Sequence, residues 1–251
     1  MLFWNIWLDN QIYGKNQAEE FLSVFERIIE QYQPDCIGLT EVLQHAKSSS
    51  PFVLDFLKDF GYKNNHFTQA APISDDWILG STLSSRLDLK STKDVMLSKN
   101  NPAIRRGYKG HNVNAITTEI VLPNNEKVSL IVAHPLYLAL TNIAEHYRGT
   151  NKLKKLLKTS EFLENTIIAG DFNEPSIMPR SFSTTTSRTL HSRTGTYLHP
   201  TWRHHASHST LIKANLDRIY WTKKGSLRLI DFEVIKTDVS DHRPLFAKFK
   251  T

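Results

Sequence analysis

A single cysteine, Cys36, stands in a chain of 251 residues, so no internal disulfide can form. Its place in the apolar run Cys36-Ile37-Gly38-Leu39 marks it as a buried, inert thiol rather than a nucleophile. Long apolar stretches are missing as well: none could span a bilayer, and no signal peptide is visible, because Met1-Leu2-Phe3-Trp4 already reads as strand. The expectation is a cytoplasmic protein with no stable membrane insertion. There is no internal repeat and no linker, so one domain over residues 1–251 is expected; nothing points to an oligomer, and a monomer is the default. Acidic residues are in deficit, 25 against 31 Lys and Arg, for a net charge of +6 and a pI near 9.3. That balance favours polyanionic partners such as nucleic acid, anionic lipid or phosphorylated small molecules. It also fits a basic but otherwise ordinary enzyme. At 40% hydrophobic residues the chain can bury a sizeable core, which excludes general disorder.

Periodicity separates helices from strands. Ala18, Phe21, Leu22, Phe25, Ile28, Ile29 and Tyr32 recur at helical spacing and make one apolar stripe, with Asn16 and Glu19 spaced for a capping box and Pro34 as the stop. Cys36 to Leu39 reads as a short buried strand that delivers Glu41 at its carboxyl end. A second helix starts at Ser50-Pro51 and stops at Gly61. From Trp77 to about Thr118 the pattern changes to short strands and polar turns. Val128 to Ala133 is a strand ending at His134. A third helix is expected over 142–163, with Leu153, Leu156, Leu157 and Phe162 inside, and Thr166 to Ala169 is the strand before Asp171. Residues 174–208, rich in Ser, Thr, Arg and His, lack a clear period and read as a long loop of the kind often used for function. Leu216 to Trp221, Leu227 to Val234 and Leu245 to Phe249 close the fold. Strands in both halves with helices between them fit an α/β sandwich of two sheets packed between outer helices.

Several polar residues fall where apolar strand-like runs stop, and their chemistry suits phosphate-ester hydrolysis. The ester resists attack because its oxygens repel the nucleophile and its alkoxide leaves poorly; a hard divalent cation held by carboxylates answers both problems. Glu41 follows a buried strand and is the best candidate ligand, against a bland reading as a surface or capping glutamate. Asn5 could orient Glu41 or donate to a phosphate oxygen, or simply occupy a turn. Asp171 and Asn173 alternate around Phe172, which suits an Asp that orients or deprotonates water beside an Asn that stabilises developing charge. The same spacing makes an ordinary Asx turn. His242, next to Asp241, could bring a cation to the transition state if a carboxylate holds it charged. Asp217, a strand aspartate that needs a partner, is the natural one, with Arg218 as the alternative. His134 ends another strand and could also reach the phosphate.

In order along the chain, Trp4-Asn5, Thr40-Glu41, Ala133-His134, Gly170-Asp171-Phe172-Asn173, Leu216-Asp217-Arg218-Ile219 and Ser240-Asp241-His242-Arg243-Pro244 resemble the motifs of the endonuclease/exonuclease/phosphatase superfamily. Leu79 to Arg86 looks like its strand segment ending in Ser-Arg. The similarity spans nearly the whole chain. It implies a four-layered α/β sandwich, DNase I-like, with two mixed sheets face to face between helices, and a centre using Mg²⁺ or Mn²⁺. By motif, Glu41 is similar to the metal ligand, with Asn5 and Asp241 at the metal; Asp171 resembles the water-orienting residue, Asn173 the transition-state stabiliser, and His242 paired with Asp217 the phosphate-contacting histidine. His134 matches the histidine of DNase I-like and sphingomyelinase-like members. Two positions depart from the pattern. Trp7 stands where apurinic-site endonucleases carry an aspartate, which argues against that branch, and Thr40 precedes the glutamate where Gln is usual.

The ester itself is set by loops rather than by the metal centre. Arg105 and Arg106 add charge, and Tyr197, Trp202 and Arg203 belong to a segment from Arg188 to His208 where cations and aromatics interleave, a pattern that suits a nucleic-acid backbone with stacked bases or an anionic headgroup. A solvated loop touching nothing is the bland reading. The favoured function is a metal-dependent phosphodiesterase, a nuclease foremost. The alternatives are a phosphatase or phospholipase C-type enzyme on a small or lipid phosphate, and a noncatalytic binding protein on the same fold.

Overall fold

The computed structural model describes residues 1–6, 15–72, 74–101, 111–135, 143–159, 162, 164–173, 182–194, 200–207 and 210–251, with backbone alone at 15–17, 99–101, 111–112, 143–146, 183–184, 202–207 and 210–214. In chain order the elements are β1 (Leu2–Asn5), α1 (Lys15–Tyr32), β2 (Cys36–His45), α2 (Phe52–Asp59), β3 (Asn64–Pro72), β4 (Trp77–Ser85), β5 (Leu89–Asn101), β6 (His111–Val121) and β7 (Lys127–Ala133). There follow α3 (Ile143–Leu156), β8 (Thr166–Asp171), α4 (Phe182–Thr186), β9 (Leu190–Arg193), β10 (Trp202–Ser207), β11 (Thr210–Ala214), β12 (Asp217–Thr222), β13 (Arg228–Val234) and β14 (Leu245–Lys250).

Two six-stranded sheets carry the fold, ordered β13-β14-β1-β2-β4-β3 and β5-β6-β7-β8-β12-β9, with β10 and β11 as a separate hairpin. Both are mixed: β1 and β2 are parallel, as are β7 and β8, and their other neighbours run antiparallel. The central strands are apolar on both faces because both faces are covered. On β1, Phe3 points between the sheets while Trp4 points to the α1 and α2 side, as the two-residue period of a strand requires. Trp4, Phe21, Phe25, Leu39, Val53 and Leu57 glue the two helices to the first sheet. Phe3, Leu83, Ile116, Val132, Ile219 and Leu245 fill the space between sheets. Ile131, Leu153, Phe172, Phe182 and Tyr220 join α3 and α4 to the second sheet. The result is the helix–sheet–sheet–helix layering expected from the sequence, and Cys36 is buried in it, its thiol pKa pushed up by that burial.

Four local readings are corrected. β2 does not stop before Glu41; it runs to His45, and Glu41 is the extra residue of a β-bulge, since Thr40 faces Ser81 and Val42 faces Gly80. The α1 helix already includes Lys15, so Asn16 is not its cap. The third helix ends at Leu156, although Leu153 and Phe162 are buried as expected. Within the expected loop 174–208, α4, β9 and β10 form, and β9 becomes the edge strand against β12. A four-residue edge strand reading Leu-His-Ser-Arg has too few apolar positions to show a period.

Candidate active site

The parallel pairs put the carboxyl ends of β1, β2, β7 and β8 at one edge of the sandwich. Asn5 is level with Thr40 and Ala133 with Gly170, and antiparallel β12 brings its first residue, Asp217, level with Asp171. Gly170 makes the β7–β8 approach possible: a Cβ there would fall onto the Ala133 carbonyl oxygen, well inside contact distance. That approach sets His134 beside Asp171.

The bulge does for Glu41 what a strand end was expected to do. With φ at 58° the residue leaves the alternation of β2, and its carboxylate turns into the cleft. A left-handed non-glycine residue costs about 1–2 kcal/mol, so the surrounding pairing holds it there. The Asn5 amide nitrogen donates to Glu41 Oε1 at 2.9 Å and to Asp171 Oδ2 at 3.0 Å, clamping two carboxylates from different sheets. His134 Nε2 lies 3.6 Å from Glu41 Oε1 and 3.7 Å from Asp171 Oδ2. Burial, reinforced by Asp171 and Asp241 against the Asn5 hydrogen bond and the charge of His242, raises the Glu41 pKa to about 8. Asp171 is raised to about 6, by burial and the charge of Asp217, against His242 and the donors Asn173 and Asn5.

Asp171 joins this group to a second one. His242 Nδ1 is 2.8 Å from Asp217 Oδ2, and its Nε2 faces Asp171 Oδ2 at 3.8 Å and Asp241 Oδ1 at 4.0 Å. Burial acts to lower the His242 pKa; the charge and hydrogen bond of Asp217, with Asp171 and Asp241, overcome it and raise the value to about 10. The imidazole is therefore a buried cation at neutral pH, as the sequence required of it. Asn173 forms the Asx turn and joins the site at once: its N–H donates to Asp171 Oδ1 at 2.9 Å, its amide to the Pro135 carbonyl at 3.2 Å, with φ at 51°. The two readings of Asp171-Phe172-Asn173 were not exclusive. Phe172 packs inward against Phe182 and Tyr220.

All eight residues expected at the centre, Asn5, Glu41, His134, Asp171, Asn173, Asp217, Asp241 and His242, thus meet at one edge. Arg105, Arg106 and Tyr197 lie outside the described residues, as do the side chains of Trp202 and Arg203. The sequence reading missed the residues that hold the loop of His242. Ser240 Oγ donates to the Asn5 carbonyl at 3.0 Å and accepts the His242 N–H at 3.1 Å, and the Trp4 indole donates to the His242 carbonyl at 2.9 Å. Ser240 carried a signal, a hydroxyl two residues before the histidine whose N–H it takes. Thr201, fully buried, accepts the N–H groups of Leu216 and Asp217 at 3.0 and 3.2 Å; nothing in its Ser/Thr-rich surroundings distinguished it.

Glu41, His134 and Asp171 bring one ligand atom each within 4.8 Å of one another, and Asp171, Asp217 and His242 do the same. Two buried carboxylates tied to a neutral amide, with imidazoles beside them, are the hard donor set that a divalent cation fits. A DNase I-like sandwich with such a cluster at the carboxyl ends of its parallel strands defines a phosphoesterase-type fold. The chain belongs to the endonuclease/exonuclease/phosphatase family, whose model matches residues 2–242. That family consists of hydrolases of phosphoester bonds and is generally divalent-metal dependent. Among solved structures, an endonuclease/exonuclease/phosphatase family protein from Leptotrichia buccalis superposes with a TM-score of 0.73 at 17% identity, covering 100% of this chain and 98% of the other. D. rerio TDP2 complexed with single-strand DNA product gives 0.66 at 17% identity, covering 100% and 98%. ANGEL2, a 2',3'-cyclic phosphatase, gives 0.68 at 13% identity, covering 99% and 93%. These likenesses show the fold. No curated protein matches the chain significantly.

Proposed function

We propose that the chain is a metal-dependent phosphodiesterase, and foremost a nuclease, working through one catalytic domain over residues 1–251. The observation that carries it is the pair of clusters sharing Asp171: an acid–histidine group built on Glu41, and a charged His242–Asp217 pair whose Nε2 lies 3.8 Å from Asp171 Oδ2. Mg²⁺ or Mn²⁺ at Glu41, with Asp241 near and Asn5 fixing the Glu41 carboxylate, would neutralise phosphate oxygens and assist the leaving alkoxide. Asp171, held by three donors or cations, orients the attacking water and takes its proton. With a pKa near 6 it is ionised at pH 7–8 and still basic enough for that work. Asn173 and His134 flank the same point. His242, kept charged by Asp217, directs Nε2 at the position where charge gathers on the phosphoryl oxygens, and its burial strengthens the interaction. The basic balance of the chain and the single-strand DNA product in the TDP2 structure support a nucleic-acid substrate. The likeness to a 2',3'-cyclic phosphatase supports a phosphatase as the second reading.

The test is hydrolysis of plasmid DNA, single-stranded RNA, bis-p-nitrophenyl phosphate and inositol phosphates with Mg²⁺, Mn²⁺ or EDTA. Diester cleavage that EDTA abolishes and that Glu41→Ala and His242→Ala each lower by about 10²-fold or more is expected. Preference for monoesters or cyclic phosphates would move the protein to the phosphatase side, and folded protein inert toward every substrate would refute the enzyme reading.

A further inference from the structure

The far end of β12, opposite the catalytic edge, carries a charged surface that the hydrolytic centre does not use. On β9, His191 is paired with Trp221 and Arg193 with Ile219, so both point to the same side of the strand as those two residues. The His191 ring lies on Trp221 with centroids 5.1 Å apart and planes tilted by 30°, and His191 is exposed. Around it stand Arg193, Lys223 and Arg228, all exposed. The contacts that Lys223 and Arg228 make here are to neutral carbonyls, of Ser187 for the lysine and of Gly225 and Leu227 for the arginine. The acids of β13 turn elsewhere: Glu233 and Asp231 act on Tyr32. Burial and then Lys223, Arg228 and Arg193 lower the His191 pKa, so at neutral pH the ring is an uncharged aromatic face among cations.

We propose that this rim, His191 on Trp221 with Arg193, Lys223 and Arg228 around it, binds single-stranded nucleic acid, an unpaired base stacking on His191 and the backbone phosphates meeting the three cations. Stacking platforms set in positive surface are how sequence-tolerant single-strand binders work. Four residue steps along β12 take Asp217 to Trp221, about 13 Å, so a strand held here would lead along β9 toward the catalytic edge. The inference does not rest on the nuclease reading, because binding is measured without turnover.

The experiment is fluorescence anisotropy of a labelled oligo(dT) in EDTA, over a salt series, with variants first checked by circular dichroism. Arg193→Ala, Lys223→Ala and Arg228→Ala combined should weaken binding by about tenfold or more at 0.1 M salt and flatten the log–log salt slope by about 2, from roughly 0.7 per phosphate contact on a single strand. His191→Ala should weaken it about fivefold or more, and His191→Phe should restore it. Unchanged affinity and slope in the triple variant would overturn the proposal. Failure of phenylalanine to restore binding would remove the stacking role. If bis-p-nitrophenyl phosphate is hydrolysed, these variants should cleave it as the parent does, since none of the four residues belongs to the catalytic cluster.

Discussion

Asp217→Asn is the most informative single change, because it removes one charge and little volume at a fully buried point of the centre. His242 and Asp217 are 4% and 0% exposed and 2.8 Å apart. With the carboxylate gone, the largest force left on the imidazolium is burial, which drives its pKa down from the usual range, against the help of Asp171 and Asp241. The folded pKa should fall from about 10 by several units, leaving His242 mostly neutral at pH 8. Loss of a preorganised charge at the phosphoryl oxygens costs about 10²–10³ in kcat by analogy with a lost oxyanion donor. The assay is kcat/KM for bis-p-nitrophenyl phosphate with saturating Mn²⁺ from pH 5 to 10, with the alkaline limb of the profile moving to lower pH in the variant. Stability gives an independent readout. His242 has its folded pKa raised above the unfolded value, so its contribution is fully present below about 6.5 and lost as pH rises through about 10. The parent should therefore lose on the order of a few kcal/mol between pH 7 and 10 that the variant never had. A variant with full activity, an unmoved alkaline limb and the same pH dependence of stability would refute the wiring of His242 through Asp217.

Glu41 and Asp171 act in the same direction. Both carboxyl pKa values are raised in the folded protein, so their protonated forms stabilise it at low pH, and that contribution is lost as pH rises through about 8 for Glu41 and about 6 for Asp171. Divalent metal at 100 times its Kd should add about 3 kcal/mol, a rise of roughly 5–10 °C in Tm for a chain of this size, at pH 8; at pH 5.5 protons compete and the rise should shrink, as differential scanning fluorimetry with Mn²⁺ would show. Glu41→Gln should abolish most of the rise at pH 8. Gly170→Ala should push β8 from the Ala133 carbonyl and cost about 1–3 kcal/mol by chemical denaturation, with kcat falling more than KM changes because His134 and Asp171 separate. Ser240→Ala removes the bridge from Asn5 to His242 and should cost about 1–2 kcal/mol and lower kcat. Ser240→Thr, which keeps the hydroxyl, should recover part of both; equal losses in the two variants would argue against the hydrogen bonds.

Asn5, His134 and Asp171 were legible because each follows an apolar run, and apolar runs with a two-residue or helical period can be read one segment at a time. Phe3-Trp4 before Asn5, Val132-Ala133 before His134 and Ile168-Ala169 before Asp171 are of this kind. Where an element owes its conformation to a distant partner, local pattern fails. β3 reads Asn-Asn-His-Phe-Thr-Gln-Ala-Ala-Pro, polar enough for a loop, and it is a strand because β4 offers it a ladder. β9 is the same case against β12.

By itself, then, the sequence determined the helix–sheet–sheet–helix layering, the buried thiol and the α1 stripe, which follow from local hydrophobic period, and the identity of the eight residues at the centre, which follows from residue chemistry together with the order of motifs that resemble the endonuclease/exonuclease/phosphatase superfamily. Tertiary structure decided the geometry that makes those residues a site. Glu41 enters the cleft through a bulge that exists only in register with β4, Asn5 clamps carboxylates from two sheets, and Asp217 meets His242 across 25 positions of chain. Pairing between distant strands fixes all three, and no single segment contains its own register.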